Sequence, residues 1–203
     1  KDKNIKIFGP DQFASQLECS KLFARDFMKK NNIPQPRYYE CSGIKKAHQI
    51  KLKLGLPLVL KADGLAAGKG VLICKNDKEF NEGLRTMFTD KKFGSASDKI
   101  SIEECLIGEE VSVFAVCDGK NYKIIGDAQD HKRIFDGDKG PNTGGMGAYS
   151  PTALCTPKLL DTVENEIIKP TLKGMDNLGH PYVGFLYVGL MLVNKKPFVI
   201  EFN

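Results

Sequence analysis

The sequence has no apolar run of about 18 residues, the length a helix needs to cross a bilayer, and no basic–apolar–small leader at its start. A membrane-spanning reading therefore has no support, while a targeting signal ahead of Lys1 stays open. Its three histidines stand at 48, 131 and 180, in a helix-like stretch, a charged segment and a Gly-His-Pro turn. That scatter leaves a zinc cluster or metallohydrolase unsupported. The cysteines stand at 19, 41, 74, 105, 117 and 155, and no pair has the short spacing of a zinc site. Most sit inside apolar runs such as Val71-Leu72-Ile73-Cys74, so they read as reduced, structural thiols. Basic residues are not massed either: 30 Lys and Arg against 25 Asp and Glu leave a net charge of +5, spread along the chain. A nucleic-acid binder clusters its basic residues with aromatics, so this spread argues against nucleic acid and suits small anions. No nucleophile-elbow sequence is present.

What is there is globular: 203 residues, 41% hydrophobic and 27% charged. The length suits one ordinary domain or two small ones, burying about 70% of the unfolded surface. The chain starts at Lys1 and stops inside the strand-like Val199-Ile200-Glu201-Phe202-Asn203, so a piece of a longer polypeptide is expected. Apolar spacing predicts helices over 11–31 (Asp11 as N-cap), 45–54 (closed by Gly55), 76–90 and 157–173. Strands are predicted over 57–62, 71–74, 99–105, 110–117, 122–127, 182–193 and 197–202. Residues 128–151 read as a long, polar, Gly-rich loop. Hairpins in place of strict strand–helix alternation favour an α+β fold over a doubly wound sheet.

Three constellations carry chemistry. The run Lys61-Ala62-Asp63-Gly64-Leu65-Ala66-Ala67-Gly68-Lys69-Gly70-Val71 lets backbone N–H groups approach a polyanion, and Lys61 and Lys69 add charge. It is neither a P-loop nor a dinucleotide fingerprint, because three residues separate Gly64 from Gly68 and a strand follows. A strand–turn–strand flap over phosphates and a plain hairpin turn both remain open. In Ile102-Glu103-Glu104-Cys105-Leu106-Ile107-Gly108-Glu109-Glu110, four carboxylates lie at the exit of an apolar strand. A solvated acidic turn explains this; so does a strand edge offered to a purine, followed by an acid for ribose hydroxyls. The third constellation joins Gln129-Asp130-His131-Lys132-Arg133 and Gly140-Pro141-Asn142-Thr143-Gly144-Gly145-Met146-Gly147-Ala148-Tyr149 with Glu201 and Asn203. Strand alternation puts Glu201 and Asn203 on one face, and a carboxylate with an amide oxygen suits Mg²⁺.

Together these segments resemble the ATP-grasp portion of the glycinamide ribonucleotide synthetase (phosphoribosylamine–glycine ligase) family, from Gly9-Pro10 and Glu18-Cys19-Ser20-Lys21 through to Glu201-Phe202-Asn203. KADGLAAGKGV, the run over 128–133 and GPNTGGMGAYSP carry the resemblance. It implies two α+β subdomains sandwiching ATP, here expected as a linker and helices over 1–55, a small subdomain over 56–118 and the start of a large one over 119–203. It implies that Lys21 and Lys61 hold phosphates under a flap formed by Gly64, Gly68, Lys69 and Gly70. Glu103, with the backbone of Glu104 to Leu106, resembles the adenine hinge, and Glu110 the ribose acid. Glu201 and Asn203 match ligands of Mg²⁺ (or Mn²⁺). Asp130, His131, Lys132 and Arg133, with Asn142, Thr143, Gly144, Gly145, Met146 and Gly147, match segments around glycine and 5-phosphoribosylamine.

The implied reaction activates glycine as glycyl phosphate, which the amine of 5-phosphoribosylamine then attacks, as the second step of purine synthesis. Fusion to other purine-pathway enzymes is left open. The cytoplasm is the expected compartment, with an organelle leader before Lys1 also left open. The sequence departs from the family at Cys19 and Cys105, and no acid stands between Gly184 and Met191, where many ATP-grasp enzymes carry a further metal ligand. An ATP-grasp enzyme for another acid, such as formate or bicarbonate, and a non-catalytic ATP-binding domain are the competing expectations.

Overall fold

A computed structural model describes residues 6–64, 70–137, 139–143 and 145–203. The chain divides into two compact units: Gln16–Lys30 with Gln35–Ile107, and Lys1–Ser15 with Asn31–Pro34 and Gly108–Asn203. The expected boundaries at 55/56 and 118/119 do not coincide with this division. Every strand pairing among the described residues is antiparallel, as an α+β chain built on hairpins requires.

The unit containing residues 35–107 carries a sheet of β1 (Tyr38–Cys41), β4 (Ile100–Glu104), β2 (Leu58–Ala62) and β3 (Val71–Cys74), in that spatial order. Alternation sends Leu58, Leu60 and Ala62 into a core with Ala47 and Ile50 of α3 (Ile44–Leu54) and Phe80 and Leu84 of α4 (Asp77–Leu84). The opposite face therefore presents Val59, Lys61, Ser101 and Glu103. Helices α1 (Gln16–Cys19) and α2 (Lys21–Lys30) complete the unit. The single helix expected over 11–31 is thus two, because Ser20 takes the capping position between them: the Phe23 amide donates to Ser20 Oγ at 3.0 Å.

The other unit is built on the order β11 (Lys196–Phe202), β10 (Val183–Val193), β5 (Glu109–Asp118), β6 (Tyr122–Asp130), β9 (Ala148–Tyr149). Val111, Val113 and Ala115 face Leu190, Val188 and Leu186 across the β5–β10 pair, and all six are buried. The other side of these strands carries Glu110, Ser112, Tyr187 and Gly189. The helix expected over 157–173 runs as α5 (Pro157–Val163), a π-turn (Glu164–Ile168) and α6 (Lys169–Asn177).

Residues 128–151 do not form the expected structureless loop. Strand β6 continues to Asp130, β7 (Arg133–Phe135) pairs with β8 (Lys139–Asn142), and β9 returns beside β6. Glycine-rich sequence hid these strands, since backbone ladder bonds hold them without an apolar alternation.

Candidate functional site

In the unit of residues 35–107, Glu103 is 1% exposed yet charged. Arg25 reaches from α2 and grips it with both arms of its fork, Nε to Oε1 at 2.8 Å and Nη2 to Oε2 at 2.7 Å. Lys61, on the neighbouring strand, places Nζ 3.1 Å from Oε2, and Ser101 Oγ donates to Oε1 at 3.0 Å. Burial alone would raise the Glu103 pKa; Arg25 first and Lys61 second outweigh it and hold the carboxyl well below its ordinary 4.5. The expected phosphate lysine Lys61 and the expected hinge acid Glu103 are therefore one cluster. Arg25, which the sequence reading did not single out, completes it. Its signal was present, since Arg25 lies between Ala24, Phe27 and Met28 on the apolar side of a helix.

Asp63, inside the glycine-rich motif, has a structural task. Its Oδ1 accepts from Ser20 Oγ at 2.9 Å and from the Leu22 amide at 3.1 Å, fastening the start of α2, where Lys21 stands. Lys21 Nζ donates to the Glu18 carbonyl at 3.3 Å. The Gly70 carbonyl accepts from the Ala62 amide at 2.9 Å. Gly68 and Lys69 lie outside the described residues. Beyond Glu103, the Glu104 carboxylate is taken by Arg37, from its amide at 2.8 Å and from Nε at 2.7 Å. The Cys105 amide donates to the Pro57 carbonyl at 3.3 Å, and Leu106 follows as the chain leaves the sheet.

In the other unit, Glu110, Lys132, Tyr187 and Gly189 line one small recess with Ser112 and Asp130. Lys132 Nζ lies 3.1 Å from Glu110 Oε2. Burial works against the Lys132 ammonium, but Glu110, then Tyr187 and Glu201, outweigh it and raise its pKa. The Tyr187 phenol meets Ser112 Oγ at 3.1 Å, and burial first, then the charge of Glu201, raises its pKa against the Ser112 bond. Glu201 stands opposite Gly189, and Asn203 exchanges both backbone bonds with Tyr187 (2.8 and 3.1 Å). Glu201 and Asn203 thus share a face with Tyr187. Tyr187 and Ser112 were not singled out in the sequence, because a Tyr and a Ser inside apolar strands look like ordinary sheet residues.

The segments 129–133 and 140–149 are clasped together. The His131 amide donates to the Gly147 carbonyl, and the Met146 amide to that of His131, both at 2.8 Å. Thr143 donates to the Lys132 carbonyl twice, from its amide at 2.7 Å and from Oγ1 at 2.9 Å. Gly145, at φ +120°, passes so close to Asp130 that a Cβ there would stand 3.3 Å from Oδ1. His131 stacks on Tyr149 with ring centroids 5.8 Å apart. Arg133 and Asn142 are backbone partners in the β7–β8 pair. Gly144 lies outside the described residues. A wider recess of about 420 Å³, lined by Lys120–Ile124 and Glu164, contains none of the expected site residues.

The family described as phosphoribosylglycinamide synthetase, ATP-grasp (A) domain, matches residues 19–203. The chain is 48% identical over 202 residues to a phosphoribosylamine–glycine ligase of Ralstonia nicotianae, covering 99% of this chain and 48% of that protein. It is 49% identical over 199 residues to the bifunctional purine biosynthetic protein ADE1 of Schizosaccharomyces pombe, covering 98% of this chain and 25% of the relative. A solved phosphoribosylamine–glycine ligase from Thermotoga maritima superposes with a TM-score of 0.87 at 37% identity, over 100% of this chain and 51% of that one. The chain therefore spans about half the length of the single-function relatives it matches, and a quarter of the bifunctional one.

Proposed function

The chain belongs to the phosphoribosylglycinamide synthetase ATP-grasp domain family, and from that premise we propose that it supplies the nucleotide-activating part of a ligase joining glycine to 5-phosphoribosylamine. The products are glycinamide ribonucleotide, ADP and phosphate. The observation that carries this reading is the clasp between 129–133 and 140–149, which delivers Lys132 to Glu110. It ties the segment resembling the acceptor site to the acid that resembles the ribose anchor.

In the proposed reaction, a glycine carboxylate oxygen attacks the γ-phosphorus of ATP, the bond to the β-phosphate oxygen breaks, and ADP leaves. The amine of 5-phosphoribosylamine then attacks the acyl carbon, gives up a proton, and inorganic phosphate departs. Anion meets anion in the first step, so fixed positive charge is the main requirement. Lys21 and Lys61 are assigned to the phosphates, with the 64–70 turn as the cover that excludes water. The backbone of Glu104 to Leu106 is assigned to adenine and Glu110 to ribose. Asp130, His131, Lys132 and Arg133, with 142–147, are assigned to glycine and the amine.

Glu201 and Asn203 offer one carboxylate and one amide oxygen on a shared strand face. Among the described residues no group of three or more His, Cys, Asp or Glu is poised for a metal. That donor set fits Mg²⁺ or Mn²⁺, which keep waters and phosphate oxygens as their other ligands. Such an ion would supply neutralising charge at the phosphates when bound.

No disulfide joins the six cysteines, which suits a reducing compartment, and the cytoplasm is the proposed location. Among the described residues no helix is long and apolar enough to cross a membrane. Because the relatives are longer, residues 1–203 alone are proposed to bind ATP weakly and to turn over poorly or not at all. The test is ADP release by the full native polypeptide. Dependence on both glycine and 5-phosphoribosylamine, lost in Lys61→Ala, is expected. Release triggered by formate or bicarbonate in place of glycine would move the chain to another acid.

A further inference from the structure

The Glu103 carboxylate is saturated. Oε1 accepts from Arg25 Nε at 2.8 Å and Ser101 Oγ at 3.0 Å; Oε2 accepts from Arg25 Nη2 at 2.7 Å and lies 3.1 Å from Lys61 Nζ. A carboxylate has about four acceptor sites, so four donors leave none for the amino group of a purine. At 1% exposure the group has no open side either. Resting on the ATP reading above, we infer that Glu103 serves the phosphate side of the site, and that Arg25 is a positioning residue acting through Glu103 on Lys61.

Two physical effects make Arg25 matter. Its planar fork makes parallel bonds to both oxygens, which fixes the carboxylate plane as no single point charge could. Lys61 is thereby anchored at one defined oxygen rather than at a rotating group. Arg25 also shares the negative charge of Glu103. Without it, the carboxylate would hold the Lys61 ammonium as an exclusive buried partner, in competition with phosphate oxygens. Base recognition then falls to the backbone of Glu104 to Leu106, and the nucleotide preference is independent of the Glu103 side chain.

The experiment uses the full native polypeptide and titrates MgATP and MgGTP calorimetrically into wild type, K61M, R25K and R25M/E103M. The double variant removes Arg25 and Glu103 together, so neither is left buried without the other, and Lys61 stays as the remaining buried charge of the cluster. Thermal melting checks that it is folded. Affinity for MgATP is expected to fall about tenfold or more in the folded double variant, as in K61M. R25K, which keeps the cation but not the fork, should fall about threefold, and the ratio of MgATP to MgGTP affinity should stay at the wild-type value throughout. A folded double variant binding MgATP within about twofold of wild type overturns the positioning role. Loss of the MgATP preference overturns the phosphate-side assignment and returns Glu103 to base reading. Should the double variant not fold, R25K decides alone, and wild-type affinity there counts against the inference. If wild type itself binds no MgATP while remaining folded, the nucleotide reading fails and takes this inference with it.

Discussion

Gly189 lies directly opposite Glu201 across the β10–β11 pair, and a methyl group on Gly189 would stand 3.1 Å from Glu201 Cγ and 3.1 Å from Tyr187 Cε1. The place where a side chain would project is already filled by the acid on one strand and the phenol on its own. Gly189→Ala should displace one of the two neighbours and cost about 1–3 kcal/mol as overpacking. Thermal melts should show that loss, and a Mg²⁺ titration of ATP binding should shift to higher Mg²⁺. An unchanged midpoint in both would mean that Glu201 does not depend on this packing.

The buried Glu103 sets an acid limit on stability. Its folded pKa is depressed from 4.5 to about 2. The stabilisation it gives is therefore complete above about pH 4.5, the unfolded value, and is lost as pH falls from there through the folded value. Wild type should lose stability steeply over this window, and Glu103→Gln should lose less over the same window while starting lower at pH 7. Urea melts at stepped pH measure both slopes; parallel slopes would remove Glu103 from the acid response.

Arg25→Ala leaves a buried carboxylate with fewer partners and should cost about 3–5 kcal/mol at pH 7. The exposed ion pair of Arg85 with Asp90, at 3.5 Å, offers a control: Arg85→Ala should change stability by less than about 1 kcal/mol. Denaturant midpoints for the two variants side by side test this difference. Equal losses would contradict the structure.

The start of α4 is held by a reciprocal cap. Asn76 Oδ1 accepts from the Glu79 amide at 2.9 Å, while Glu79 Oε2 accepts from the Lys75 amide at 2.7 Å. Asn76→Ala should cost about 1 kcal/mol, and Asn76→Asp should also destabilise, because Asn76 Nδ2 donates to Glu79 Oε1 at 2.9 Å and a carboxylate there would face another. Equilibrium unfolding is the measurement.

The thiols should separate by reactivity. Burial pushes Cys74 and Cys117 up to about 11, and burial with the nearby Asp127 pushes Cys155 up to about 12. Alkylation at pH 8 followed by peptide mass mapping should find the partly exposed Cys19 and Cys105 modified first. Cys74 and Cys117 should react only on unfolding. Early labelling of Cys117 would show that the β5–β10 core opens in the native state.

Local pattern made much of the fold legible. The apolar run Val71–Cys74 is a strand with the expected ends, Gly55 closes α3, and Asp118–Asn121 joins β5 to β6. Strand β1 was not legible because only Cys41 of its four residues is buried, so Tyr38-Tyr39-Glu40-Cys41 shows no apolar alternation. The strands inside 128–151 were hidden for a similar reason: their pairing is made by backbone groups, and their glycines mimic a loop.

From the sequence alone came most of the helices, strands and turns, with β1 and β7 to β9 the exceptions, and the segments that carry lysines, acids and glycines, because periodicity and turn chemistry act between near neighbours. The tertiary structure alone decided that Arg25 meets Glu103 across 78 positions, that Lys132 meets Glu110 across 22, and that Gly189 makes room for Glu201. Those meetings depend on strand register and on how α2 lies against its sheet, and a slip of one residue in its strand would turn Glu103, Glu110 or Glu201 to the opposite face.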